Sequence, residues 1–167
     1  MRENKETMKH LSKSSEETSN LAKLFAEELL KTKPNKEALV VGLIGELGAG
    51  KTTFIQSFLR ASGVKKRIVS PTFIFSRHYK LPKYPRKSAS NLRKSAILSA
   101  WHFDLYRLGS PKEIKEVGLG DVMKNPENLV LIEWADKIKG MLPRGIIWIE
   151  FKHGAKSNER YLTFNRR

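Results

Sequence analysis

Polar and apolar positions fall into blocks along the 167-residue chain, and the period of each block predicts its element. Residues 1–13 are polar and charged and read as a loose leader. Ser14 and Glu17 stand at capping-box spacing, and Leu21, Leu24, Phe25 and Leu29 follow on one helical face. Lys33-Pro34-Asn35 ends that helix. The run Ala38-Leu39-Val40-Val41-Gly42-Leu43-Ile44 is continuously apolar and rich in β-branched residues, as in a strand buried on both faces. Phe54, Ile55, Phe58 and Leu59 return to helical spacing, with Gly63 as the stop. Residues 67–75 read as a strand broken by Pro71. Residues 80–95 read as an exposed loop rich in Lys, Arg, Ser and Pro, and 96–108 as extended. A short helix over 111–117 ends at Gly118. Leu129-Val130-Leu131-Ile132 is an apolar run ending at Glu133, and 145–151 and 161–164 form a terminal strand pair closed by a polar hairpin at 152–160. Helices alternating with strands predict an α/β domain over 14–167 with a largely parallel central sheet.

The junction between the first apolar run and the helix behind it carries chemistry. Gly45-Glu46-Leu47-Gly48-Ala49-Gly50-Lys51-Thr52 matches the phosphate-loop pattern G-x-x-x-x-G-K-[ST] in full. Glycines let a backbone curl until its N–H groups converge on phosphate oxygens. In that role Lys51 reaches the outer phosphates as a point charge, Thr52 holds a magnesium ion, and the helix N-terminus adds partial positive charge. The same residues also suit a plain glycine-rich turn with an exposed lysine. The flanks favour the phosphate loop, because strand, loop and helix stand in the required order.

Composition narrows the setting. With no cysteine the chain has no disulfide, thiolate nucleophile or cysteine zinc site, which fits a reducing cytosol. No apolar run is long enough to span a membrane, and no signal-peptide pattern opens the chain, so a cytoplasmic protein is expected. The net charge is +15, and it is unevenly spread. From Thr52 to Phe103 there is no Asp or Glu, but there are eleven basic residues: Arg60, Lys65, Lys66, Arg67, Arg77, Lys80, Lys83, Arg86, Lys87, Arg93 and Lys94. A polyanionic partner such as RNA would meet such a stretch favourably, and a solvated basic loop would show the same composition.

A nucleotide-hydrolysing site needs a metal anchor and a group that positions the attacking water or acceptor. Glu133, at the end of an apolar run, has the form of the metal anchor; the alternative is a strand that simply ends at the surface. In Trp101-His102-Phe103-Asp104-Leu105-Tyr106-Arg107-Leu108, extended backbone would put His102, Asp104 and Tyr106 on one face. His102 and Asp104 together could order a water or bind a metal. Asp104 could equally cap a turn or pair with Arg107. Ser70-Pro71-Thr72 offers two hydroxyls beside a φ-locked proline, as a phosphate sensor or as a strand-breaking turn.

The ordered set of the phosphate loop through Thr53-Phe54, Ser70-Pro71-Thr72-Phe73, His102-Phe103-Asp104-Leu105-Tyr106-Arg107-Leu108 and Ile132-Glu133-Trp134 resembles the TsaE family (formerly YjeE), over roughly residues 14–142. The resemblance implies a three-layer P-loop NTPase-like fold, a mixed sheet with a parallel core and an antiparallel extension. It implies a weak magnesium-dependent ATPase of tRNA threonylcarbamoyladenosine modification, activated by the partner proteins TsaB and TsaD. Carried over by motif, Lys51, Asp104 and Glu133 would be catalytic, and Thr52 and Glu133 would hold Mg2+. Gly48, Ala49, Gly50, Lys51, Thr52 and Thr53 would bind the ATP phosphates, Trp134 would sit beside them, and Thr18 would approach the adenine. The basic stretch 52–103 is the place where tRNA itself would be met. Two other readings are a small P-loop kinase, with 80–95 as its lid, and an RNA-binding module with a degenerate nucleotide site.

Overall fold

The computed structural model describes residues 7–32, 36–82 and 97–166. At its centre lies β2 (Leu39–Gly45), the continuous apolar run, flanked by the parallel strands β5 (Asn128–Glu133) and β6 (Ile147–His153). β4 (Ser99–Asp104) continues the parallel set beyond β5. Antiparallel strands finish both sides: β3 (Ser76–Lys80) on β4, and β7 (Arg160–Arg166) then β1 (Thr7–Ser12) on β6. The described residues thus form a seven-stranded sheet in the order β1-β7-β6-β2-β5-β4-β3. This is the expected mixed sheet, parallel in the core and antiparallel at its flanks.

Alternation of side chains along the inner strands builds two cores. Leu39, Val41, Leu43, Leu129 and Leu131 pack on the face covered by α1 (Ser15–Leu29) and α2 (Lys51–Ala61). Val40, Val130, Ile132 and Trp148 pack on the opposite face, with α3 (Pro111–Glu116), α4 (Leu119–Lys124) and the 3-10 segment Ala135–Met141. A strand covered on both faces has no polar side to show, which explains the unbroken apolar runs of β2 and β5. α2 is seated by aromatic contacts: Phe54 meets Phe151 of β6 edge-on at 5.7 Å between ring centroids, and Phe25 of α1 meets Phe54 at 6.0 Å and Phe58 at 5.9 Å. These rings hold the helix that opens at Lys51 against the sheet.

Local signals explain most boundaries. Ser14 caps α1 by accepting from the Glu17 N–H at 3.1 Å, while the Glu17 carboxylate accepts from the Lys13 N–H at 2.7 Å, one residue before the position of a standard capping box. α2 ends in a Schellman pair, Val64 N–H to Leu59 O and Gly63 N–H to Arg60 O. α3 carries a full capping box between Ser110 and Glu113.

Several expectations are corrected. Residues 7–12 of the polar leader are strand β1, paired with β7 from Thr7↔Asn165 to Ser12↔Arg160. An edge strand held by its backbone ladder needs little apolar pattern, so its sequence looks like a tail. The buried stripe of α1 is Thr18, Ala22, Ala26 and Leu29, and Leu24 is 61% exposed. Small side chains on that stripe let α1 lie close to α2. Residues 67–75 form no strand: Ile74 N–H returns to Pro71 O, Phe75 takes φ 62, and the strand begins only at Ser76. Gly118 ends α3 as expected, and a second helix that the sequence did not suggest, α4, follows it directly. Of the expected loop at 80–95, Lys80 ends β3 and residues 83–95 lie outside the described residues.

Candidate nucleotide-binding site

β2 delivers its loop to the carboxyl edge of the parallel strands, where an open α/β sheet binds ligands. Gly45 has φ +140, and a Cβ there would stand 2.3 Å from the Phe151 carbonyl oxygen, so the strand can leave the sheet only through glycine. Gly50 takes the left-handed conformation at φ +99 as the cap residue of α2, with nothing within 4 Å of where a Cβ would be. α2 has no side-chain cap and no acidic residue in its first turn. Its first N–H groups, those of Lys51, Thr52 and Thr53, therefore remain to meet an anion.

Lys51 is buried, and its Nζ donates to the Gly45 and Glu46 carbonyls at 2.7 Å each, 4.1 Å from the centre of the Trp134 ring. Burial lowers the ammonium pKa below its ordinary 10.5, opposed by the nearby charges of Glu133, Asp104 and Asp136. Trp134 reaches this place because the chain turns sharply after β5, taking φ 59.

Two carboxylates complete the floor. Glu133 and Asp104 are register partners on adjacent parallel strands, both nearly fully buried. Glu133 accepts from the Thr52 hydroxyl at 2.9 and 3.0 Å, one contact for each oxygen, and its Oε1 lies 2.9 Å from His102 Nε2. Asp104 turns the other way: Oδ2 accepts from the Thr72 hydroxyl at 2.5 Å and Oδ1 from the Tyr106 N–H at 3.0 Å. Ser70 Oγ lies 2.7 Å from Thr72 Oγ1, which ties the Ser-Pro-Thr segment to Asp104. Arg107 lies over the Phe73 ring at 4.2 Å. Asp104 thus caps a turn and faces the site at once, two roles that the spacing left open.

A cleft of about 260 Å3 gathers these groups. Gly48, Gly50, Lys51, Thr52, Thr53, Asp104, Glu133 and Trp134 line it, together with Leu47, Thr72 and Tyr106. The Ala49 side chain is buried in the core, which leaves its backbone in the loop. Thr18 is buried in α1, its hydroxyl 2.8 Å from Ser12 Oγ and donating to Ser14 O at 3.2 Å, and it does not line the cleft. His102 and Asp104 lie on one face as expected, and His102 Nε2 is engaged by Glu133 Oε1.

Sequence reasoning missed two supports. Lys137 Nζ donates to the carbonyls of Leu105, Tyr106 and Leu108, clamping the turn that follows Asp104. Arg160 of β7 reaches the loop carbonyl of Gly48 at 3.4 Å. Neither carries a signal along the chain, since the fold alone brings each to its partner. No group of three or more His, Cys, Asp or Glu that could hold a metal exists among the described residues. No helix among the described residues is long and apolar enough to cross a membrane.

The family model for the threonylcarbamoyl adenosine biosynthesis protein TsaE matches residues 12–162. The chain belongs to the TsaE family. Its match runs into the terminal hairpin, beyond the motifs that first pointed to the family. A Rickettsia prowazekii relative, named tRNA threonylcarbamoyladenosine biosynthesis protein TsaE, is 38% identical over 144 residues, covering 86% of this chain and 85% of the relative. A Bacillus subtilis relative of the same name is 33% identical over 149 residues, covering 89% and 79%. The crystal structure of Bacillus subtilis YdiB aligns with a TM-score of 0.70 at 28% identity, covering 99% of this chain and 88% of that one. The P-loop NTPase-like fold and TsaE family membership are thus established independently of the motif reading.

Proposed function

We propose that this chain is an ATP-binding and ATP-hydrolysing accessory protein of tRNA threonylcarbamoyladenosine modification, acting in the cytoplasm on a complex of TsaB and TsaD. The observation that carries this reading is the convergence of Lys51, Thr52 and Glu133 with Asp104 on one cleft at the end of the parallel strands. The TsaE names of the relatives supply the pathway.

The donor set fits magnesium. Thr52 and Glu133 offer hard oxygens in mutual contact, with no competing sulfur, and a magnesium ion bound beside phosphates needs only one or two such protein groups. Thr52 and Glu133 are the residues that would hold it. Bound there, magnesium would offset phosphate charge and polarise the terminal phosphoryl group. The chain's own residues do the rest. Loop amides and the first turn of α2 bind the phosphates, and Lys51 exchanges its two carbonyl acceptors for phosphate oxygens. Trp134 shields that ammonium from water on one side. Asp104, held as an acceptor by Thr72 and the Tyr106 amide, is the carboxylate free of the metal set and orients the attacking water. The exposed Lys65, Lys66 and Arg67 after α2 belong to the basic stretch through which tRNA would approach.

The test is ATP hydrolysis with and without TsaB–TsaD and tRNA. Turnover should be magnesium-dependent, rise with the complex and vanish in Lys51→Ala. Unchanged turnover in Lys51→Ala would remove the site assignment, and stimulation by a small-molecule acceptor instead of the complex would favour a kinase.

A further inference from the structure

The floor of the cleft poses an electrostatic problem. Asp104 and Glu133 are direct register partners on parallel strands, project to the same face, and are 4% and 3% exposed. Like charges so placed repel, and burial strengthens the repulsion. Each carboxylate is drawn away from the other by its own donors: Asp104 by Thr72 and the Tyr106 amide, Glu133 by Thr52 and His102. Thr52 cannot serve Glu133 alone, because its hydroxyl carries a single proton shared between both oxygens and is itself a proposed metal ligand.

His102 is fully buried, and its Nε2 lies 2.9 Å from Glu133 Oε1. Its Nδ1 is buried with no hydrogen-bond partner. The imidazole is therefore committed to one contact, and Nε2 must carry the proton to donate to an ionised Glu133. It reaches Glu133 from a position two residues earlier on the neighbouring strand, His102 being paired in register with Leu131. Both ends of that contact are held by strand backbone, so the donor is fixed without any flexible loop.

We propose that His102 is a positioning residue for magnesium: it fixes the Glu133 carboxylate against Thr52 and away from Asp104 and Lys51, so that the metal-binding oxygens are set before nucleotide arrives. The idea rests on the proposed role of Thr52 and Glu133 as the metal pair. Without His102, Glu133 regains rotamer freedom and can swing toward Lys51, competing with phosphate for that ammonium. Removing a support of this kind typically weakens metal affinity by about 10- to 100-fold.

The experiment is a Mg2+ titration of ADP binding by calorimetry on the full chain, comparing wild type, His102→Leu and His102→Gln. A glutamine carries its amide N–H2 about as far from the backbone as Nε2, whereas leucine carries no donor. His102→Leu should raise the half-saturating Mg2+ concentration about tenfold or more, with ADP affinity in EDTA changed less than about threefold, and His102→Gln should recover most of the Mg2+ affinity. Should His102→Leu not fold, His102→Asn, too short to reach Glu133, takes its place. An Mg2+ requirement equal to wild type in the donor-less variant overturns the proposal, as does a glutamine variant no better than leucine. If wild-type ADP binding itself shows no Mg2+ dependence, the metal pair is wrong and the proposal goes with it. A Glu133→Gln variant separates the cases further: in that background His102→Leu should have little additional effect on Mg2+ dependence.

Discussion

The floor and the rim of the cleft are built on different terms. On the floor, Lys51, His102, Asp104 and Glu133 are all at most 4% exposed, and each is engaged by polar contacts: Glu133 by Thr52 and His102, Asp104 by Thr72 and the Tyr106 amide, Lys51 by the Gly45 and Glu46 carbonyls. At the cleft Leu47 is 70% and Tyr106 44% exposed, and Phe73 and Ile74, which follow the lining residue Thr72, are 77% and 53% exposed. Polar groups lie inside and apolar groups outside, the reverse of the usual arrangement. The difference teaches where the chemistry gets its precision. The floor inherits its geometry from strand register, which a side chain cannot alter alone. The rim is made of loops, with left-handed backbone at Phe75 and Trp134.

The largest expected effect falls on the floor. Lys51→Ala removes the cation that faces both carboxylates and the phosphate loop, and ADP affinity should fall about 100-fold in a calorimetric titration. A loss of less than about fivefold would mean that the loop amides, not Lys51, dominate binding. Next comes a paired stability measurement. Phe103→Ala, in the core beneath the floor, should lower the unfolding free energy by about 3–5 kcal/mol. Phe73→Ala on the rim should change it by about 0.5 kcal/mol or less, and leave ADP affinity within about twofold. Equal costs in denaturant melts would erase the distinction between floor and rim.

Lys137→Met tests what ties the two together. Three carbonyls of the turn after Asp104 lose their donor, so stability should fall by about 1–3 kcal/mol and amide exchange should quicken over 105–108. Protection across β5 should stay as it is. The smallest effect is a proton linkage. Burial holds the Lys51 pKa below 10.5, so between that lowered value and 10.5 the folded chain binds fewer protons than the unfolded one. In that window rising pH therefore favours the folded state through Lys51, while phosphate binding, which needs the ammonium, takes up protons and weakens. Calorimetry in buffers of different ionisation enthalpy should register this uptake as pH approaches the window. Proton release instead would place the linkage on another group.

How much of this was legible in the residues depends on the kind of interaction. The phosphate loop was legible in full, because glycine positions and Lys51-Thr52 act through local backbone and adjacent side chains. β2 and β5 were legible because burial on both faces leaves an unbroken apolar run. β1 was not, since its pairing with β7 rests on backbone hydrogen bonds that any side chain permits. The helical face of α1 was misjudged at Leu24, because periodicity counts large apolar residues while close helix packing selected Ala22 and Ala26. Thr18, assigned to the adenine by resemblance, has its hydroxyl beside Ser12 Oγ and donating to the Ser14 carbonyl, contacts that no local pattern announced.

By itself, then, the order of residues determined the phosphate loop, the two carboxylates as candidates, and the alternation of strands and helices. All of these are signals that act over one or two turns of chain. The resemblance already paired Thr52 with Glu133; only the tertiary structure held Asp104 by Thr72 and brought His102 to Glu133. Glu133 meets Thr52 across 81 positions and Asp104 meets Thr72 across 32, and the pairing follows from the order of β4, β5 and β2 in the sheet. Strand order is a property of how the layers pack, and no stretch of sequence carries it alone.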